Sequence, residues 1–232
     1  MKSPTPALLA PVQAVSSTRR RMLLAAGLPV AAALMARTGA VQAQRSFQEG
    51  TDYRLVQPPQ PTDGQGKIEV IEFFWYACPH CYDFQPAMER WRKTMPADVY
   101  LRRVPVAFSP DREPHSRTYY ALDSLGLIDS LHAKFFQALG GEHQKLFTAE
   151  TIADFMAQHG VDRKKWLDTY NSFGVAARTQ SARRIVDNYK VDGTPALAVA
   201  GKFYTSPSMA RGGDAALQVV DFLVAQVRKG AR

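Results

Sequence analysis

Cysteine is scarce in this chain. Its 232 residues contain two, Cys78 and Cys81, separated by Pro79 and His80. A closed structural zinc site needs four ligands, and no second cysteine pair exists to complete one. Histidine does not fill the gap: His80 lies between the cysteines, and His115, His132, His143 and His159 are scattered. Long apolar runs are lacking as well, since the stretch Met22 to Met35 is too short to cross a bilayer comfortably. Acid is missing from the first 43 residues, which hold Lys2, Arg19, Arg20, Arg21 and Arg37 without a single Asp or Glu. Repeats and low-complexity tracts are absent.

The acid-free start has its own meaning. A basic region, an apolar run and the small-residue site Val41-Gln42-Ala43 form the pattern of a secretory signal peptide over residues 1–43, with Gln44 as the first mature residue. Thr18 to Leu23 also resembles a twin-arginine signal, so the Sec and twin-arginine routes both stay open, as does a retained membrane anchor. Cleavage removes five basic side chains and lowers the formal net charge from +8 to +3. A mildly basic mature protein offers no case for nucleic acid. The remaining length suits one domain with room for an inserted subdomain.

The chemistry lies in Cys78-Pro79-His80-Cys81. Before it runs Ile68 to Tyr76, apolar and rich in β-branched and aromatic residues, which predicts a buried strand. After it, Tyr82 to Trp91 repeats apolar residues at helical spacing. The pair therefore sits where a strand ends and a helix begins. A helix start carries unpaired N–H groups and the positive end of the dipole, and both favour a thiolate at Cys78. Pro79 fits the first helical turn, where its missing N–H matters little. A thiolate attacks disulfides and a thiol hardly does. Cys78, the more N-terminal and exposed sulfur, is expected to attack, and Cys81, a turn further in, to resolve the mixed disulfide. A protonated His80 adds positive charge beside Cys78. Other readings of the pair are half a zinc site, a structural disulfide whose small loop constrains the unfolded chain little, and two inert buried thiols.

The segment Glu72-Phe73-Phe74 through Cys78-Pro79-His80-Cys81-Tyr82 resembles the DsbA family of bacterial periplasmic thiol:disulfide oxidoreductases, over Phe47 to Val227. The resemblance implies an α/β, thioredoxin-like fold with an inserted helical subdomain. It also implies a depressed Cys78 pKa and an oxidising disulfide. The thioredoxin-like part is expected at residues 44–108 and 190–232, and the helical insertion at 109–189. Within the former, Val99 to Val106 reads as the next strand, giving a parallel βαβ unit with the thiols at a strand's carboxyl end. Helices are expected at Glu113–Leu125, Asp129–Leu139, Ala149–Gln158, Asp162–Ser172 and Val175–Tyr189. Trp166, Phe155 and Phe135 read as the insertion's core, and its His, Arg and Lys residues as solvated faces. Thr148 offers a helix cap, but Thr151 lacks the Glu or Gln of a full capping box. Ala215 to Val227 closes the domain as a helix.

Glu72 shares a strand face with Val70 and Phe74, where a carboxylate is costly unless paired. In the family an acid at the matching position assists proton transfer from the resolving cysteine, and Arg103 matches a frequent buried lysine. Glu72 is thus expected to accept the Cys81 proton while Arg103 offsets its charge; a structural Glu72 at the solvent edge is the other reading. Val191 to Val199 reads as a loop entering a strand, with Ala200-Gly201-Lys202 turning into Phe203-Tyr204-Thr205. By resemblance Pro195 is a cis proline facing the cysteines, with Thr194 before it. Such a bond leaves backbone groups free to pair with a substrate peptide; a trans proline in an ordinary turn is the alternative.

The expected activity is periplasmic dithiol oxidation. The Cys78–Cys81 disulfide passes to newly exported, unfolded polypeptides with free thiols, and a quinone-linked membrane partner resembling DsbB restores it. No cofactor or metal is expected, and the protein is expected to be a monomer. An isomerase or reductase would use the same motif, but family isomerases carry an N-terminal dimerisation domain and few residues precede Ile68. A non-catalytic binding module is the third reading.

Overall fold

The computed structural model describes residues 46–64 and 66–230. The expected signal peptide, residues 1–43, lies outside them. Five strands form one sheet: β1 (Arg54–Leu55), β2 (Ile68–Phe74), β3 (Val99–Pro105), β4 (Ala196–Val199) and β5 (Phe203–Thr205), in spatial order β1-β5-β4-β2-β3. The helix α1 (Pro79–Thr94) joins β2 to β3, which pair in parallel. The remaining neighbours pair antiparallel. Between β3 and β4 come a 3-10 turn (Pro110–Arg112), α2 (Glu113–Ser124), α3 (Ile128–Phe136), a π-helical turn (Gln137–Gly141), α4 (Ala149–Gln158), α5 (Arg163–Tyr170) and α6 (Phe173–Asn188). The short α7 (Pro207–Ala210) and the long α8 (Gly213–Arg228) follow β5.

β2 lies between β4 and β3 and, apart from Ile68, is buried throughout. Its alternation divides the apolar interior in two. Val70 packs with Phe84, Met88 and Trp91 of α1 and with Leu217, Val220 and Leu223 of α8. Ile71 and Phe73 belong to the larger cluster formed with the inserted helices, where the Phe73 and Tyr189 rings lie 5.4 Å apart. Phe135, Phe155 and Trp166 are buried in this same cluster, so the insertion shares its core with the strand that leads to the thiols.

The β4–β5 hairpin turns tightly. Ala200 and Gly201 both hold positive φ, 52° and 68°, and the Lys202 N–H closes the turn on the Val199 carbonyl at 3.0 Å. A Cβ on Gly201 would stand 2.0 Å from the Gln60 carbonyl oxygen, so only glycine fits.

Two local expectations are corrected. Thr151 does complete a capping box: its hydroxyl accepts the Thr148 N–H at 3.2 Å, while the Thr148 hydroxyl accepts the Thr151 N–H at 3.2 Å. A hydroxyl thus takes the part usually given to Glu or Gln. The expected helix Asp129–Leu139 is α only to Phe136 and then widens into the π turn, where Gly140 lies against Tyr82 of α1.

Candidate active site

The β2 strand ends at Phe74, three residues lead out, and Cys78 becomes the N-cap of α1 with φ −85° and ψ 117°. Its N–H donates to the Trp75 carbonyl at 3.0 Å, and its own carbonyl accepts the Tyr82 N–H at 3.1 Å. Pro79 is the first helical residue and no side chain caps the helix. The free N–H groups of the first turn are thereby left to the Cys78 sulfur. Both thiols are free in this structure.

The two sulfurs have opposite surroundings. The Cys78 thiol is held down to about 5, first by the hydrogen bond from the Cys81 thiol, against an opposing effect of burial, and further by the Thr194 hydroxyl and the N–H groups of Cys81 and His80. Cys78 Sγ also lies 3.4 Å from the Thr194 carbonyl oxygen. That contact alone favours the thiol, and the donors outweigh it. Burial pushes Cys81 well up, and its donation to Cys78 pushes it further. Cys81 is fully buried, and Cys78 keeps 8% of its surface exposed. Cys78 is therefore the more accessible sulfur, though only barely.

His80 and Pro79 are exposed at the start of α1. Facing them is the loop before β4, where the Thr194–Pro195 peptide is cis. Between the loop and α1 lies an open groove of about 490 Å³ lined by His80, Asp83, Phe84, Ala87, Thr194 and Pro195, among others. The sequence-selected residues Cys78, Pro79, His80, Cys81, Thr194 and Pro195 thus meet in one place.

Glu72 lies beneath, on the α1 side of β2, and no part of it reaches solvent. The solvent-edge reading of this residue is excluded. Arg103 stands opposite it in register on β3. Arg103 Nε donates to Glu72 Oε2 at 2.9 Å, and Gln85 Nε2 donates to Oε1 at 2.8 Å. Arg103 also reaches Glu89 on α1 at 2.5 Å. Burial lowers the Arg103 pKa, but the Glu72 charge and hydrogen bond, together with the Glu89 charge, outweigh it and hold the guanidinium charged.

Several buried polar groups were not legible as such. His115 and His132, expected on solvated faces, are buried at 1% and 4% exposure. The Trp75 indole N–H donates to His115 Nδ1 at 2.9 Å, and the other ring nitrogen meets the Leu146 carbonyl at 2.8 Å. His132 Nδ1 lies 2.7 Å from the Tyr76 hydroxyl. Both histidines thus serve the segment between β2 and Cys78, whose indole and phenol need buried partners. Glu69 is buried too, with Oε2 accepting the Asp63 N–H at 2.9 Å, and burial raises its pKa.

A DSBA-like thioredoxin domain model matches residues 103–224, from β3 into α8. The thiol:disulfide interchange protein DsbA of Bordetella bronchiseptica is 43% identical over 216 residues, covering 92% of this chain and 99% of the relative. That of Pseudomonas aeruginosa is 38% identical over 186 residues, covering 80% and 88%. The chain belongs to the DsbA family. The crystal structure of the Pseudomonas aeruginosa DsbA matches with a TM-score of 0.76, covering 80% of this chain and 96% of that one at 38% identity. The DsbA of Xylella fastidiosa matches at 0.72 and 30% identity, covering 77% and 96%. The chain has the DsbA-like thioredoxin fold and is a thiol:disulfide oxidoreductase.

Proposed function

We propose that the chain is a periplasmic dithiol oxidase in which Cys78 exchanges with substrate and Cys81 is the sulfur it releases. A thiolate of an unfolded exported polypeptide attacks Cys78 of the oxidised pair. The S–S bond breaks toward Cys81, which leaves with the electron pair and takes up a proton. The substrate's second thiolate attacks its own sulfur in the mixed disulfide and expels Cys78 as a thiolate. The substrate gains a disulfide, and the protein is left with two more electrons. A quinone-linked membrane partner like DsbB accepts those electrons and restores the Cys78–Cys81 disulfide.

The observation that carries this reading is the opposition of the two sulfurs, Cys78 held down to about 5 and Cys81 pushed up. A stabilised thiolate is a good leaving group and favours the reduced pair, so the disulfide is a ready donor. Glu72 is the proposed acceptor for the Cys81 proton during reoxidation. Its support is burial beneath the site, with Arg103 and Gln85 holding the carboxylate in place. Thr194 and Pro195 are the proposed edge for an extended substrate segment, beside the groove. The N-terminal signal directs the chain to the periplasm, and the protein acts as a monomer.

The test is a quenched reaction. Oxidised protein is mixed with a reduced, unfolded dithiol protein and stopped with acid, and the mixed disulfide is mapped by mass spectrometry. The adduct is expected on Cys78, and Cys78→Ser is expected to abolish transfer. An adduct on Cys81 would contradict the assignment.

A further inference from the structure

Over Trp75, three residues before Cys78, one arginine stands without a polar partner among the described residues. Arg112 ends the 3-10 turn that leads into α2. Its guanidinium carbon lies 4.2 Å from the centroid of the Trp75 ring and 6.0 Å from that of Phe108. Among the described residues its side chain makes no ion pair and no hydrogen bond. The neighbouring acids are engaged elsewhere. Asp111 is held by the Ser109 hydroxyl and feels the Arg112 charge only through space. Glu113 pairs with Arg117 at 3.3 Å and with Arg183.

The indole beneath Arg112 is fixed. An indole N–H only donates and a carbonyl only accepts. The bonds from Trp75 to His115 Nδ1 and from His115 Nε2 to Leu146 therefore define one neutral tautomer, with the proton on Nε2. The His115 ring in turn lies 4.9 Å from that of Phe147. Phe108 and Phe147 are 45% and 41% exposed. The surface is thus a guanidinium lying on a held indole, with two exposed phenyl rings beside it. The indole belongs to the segment that leads into the nucleophile, since the Trp75 carbonyl accepts the Cys78 N–H at 3.0 Å.

A guanidinium stacked on an aromatic face keeps its in-plane N–H edge free. That edge matches a carboxylate in a two-pronged hydrogen bond, and stacking removes much of the ordering that binding would otherwise require. We infer that Arg112 is a specificity-determining residue that receives an acidic side chain of the incoming polypeptide close to its reacting cysteine, with Phe108 and Phe147 covering apolar groups of the same segment. This rests on the dithiol-oxidase reading.

The experiment uses reduced dithiol peptides of one sequence with Glu or Lys placed in turn at each of the positions flanking the first cysteine. The rate of disulfide transfer is read under kcat/KM conditions. Each peptide's own thiol reactivity cancels when its Glu/Lys rate ratio is compared between protein variants. At the best position the ratio for the wild-type protein is expected to exceed that for Arg112→Glu by about tenfold, the size of one exposed ion pair gained and one repulsion removed. Arg112→Gln is expected to fall between them, and all three are expected to converge in concentrated salt. Lys164→Glu, the same charge change on distant α5, is expected to keep the wild-type ratio. Equal ratios for wild type, Arg112→Gln and Arg112→Glu at every position would overturn the inference. A wild-type protein that oxidises none of the peptides would contradict the oxidase reading instead.

Discussion

Glu72 and Arg103 face each other in register across the parallel pair β2–β3, joined at 2.9 Å, with the carboxylate fully buried. Removing one member leaves the other charged and desolvated. Arg103→Met is expected to destabilise the protein by about 3–5 kcal/mol. Glu72→Gln is expected to lose less, because Glu89 still pairs with Arg103. Urea denaturation of the reduced protein checks both. A loss below about 1 kcal/mol for Arg103→Met would show the pair to be energetically idle.

The depressed Cys78 value predicts a pH profile. Alkylation of the reduced protein is expected to rise with a midpoint at about 5, where an ordinary thiol, with its value of 9.0, barely reacts. The linked stability has a definite sign. Because the folded value is lowered, the thiolate's contribution is complete above the unfolded value and is lost as pH falls through about 5. The stability advantage of the reduced over the disulfide form should therefore shrink between about pH 9 and pH 5. An alkylation midpoint above about pH 8 would contradict the assignment.

His115 predicts acid sensitivity from the opposite kind of group. Burial lowers its value from 6.5 to about 4, so the fold holds it neutral. Its contribution is present above pH 6.5 and is lost as pH falls toward about 4, where the unfolded chain has already bound the proton. His115→Leu is expected to lose about 1–3 kcal/mol at neutral pH by stranding the Trp75 N–H. It should then lose less on acidification than the wild type. His132, also lowered by burial, adds slope of the same sign. Urea titrations at about pH 7 and about pH 4.5 make the comparison, and an unchanged slope would refute it.

The reactive motif was legible because it is local. Cys78, Pro79 and Cys81 take their geometry from a strand end and a helix start that are both written in the flanking residues. The burial of Glu72 could be read from strand alternation, and Arg103 from the next strand. His115 and Trp75 are 40 positions apart, and His132 and Tyr76 are 56. Neither histidine's helix marks it as buried until the insertion is folded against β2. The signal that existed was an aromatic pair, Trp75-Tyr76, whose polar tips had to find partners inside. Thr151 departs from the usual box because a hydroxyl can stand in for a carboxylate when it is held close to the cap.

The π turn offers a packing test of the same long-range kind. A Cβ on Gly140 would lie 2.6 Å from Cβ and Cγ of Tyr82, the residue after Cys81. The Tyr82 hydroxyl meets Gln137 Oε1 at 2.5 Å. Gly140→Ala is expected to destabilise by about 1–3 kcal/mol. Gly174→Ala, whose new methyl would meet nothing nearer than Ser172 Oγ at 4.0 Å, is expected to be neutral or stabilising by up to about 1 kcal/mol. Thermal melts of the two variants distinguish local crowding from a general intolerance of alanine.

The most direct test of the account is the thiol–disulfide equilibrium of the mature protein against glutathione, followed by the fluorescence of the tryptophans. Thioredoxin and the family's reference oxidase set the scale, at about −270 mV and about −120 mV. With Cys78 stabilised as a thiolate by the donors around it, the potential is predicted to lie near the oxidising end. A value close to that of thioredoxin would mean that these donors do not favour the reduced pair, and would contradict the oxidase reading.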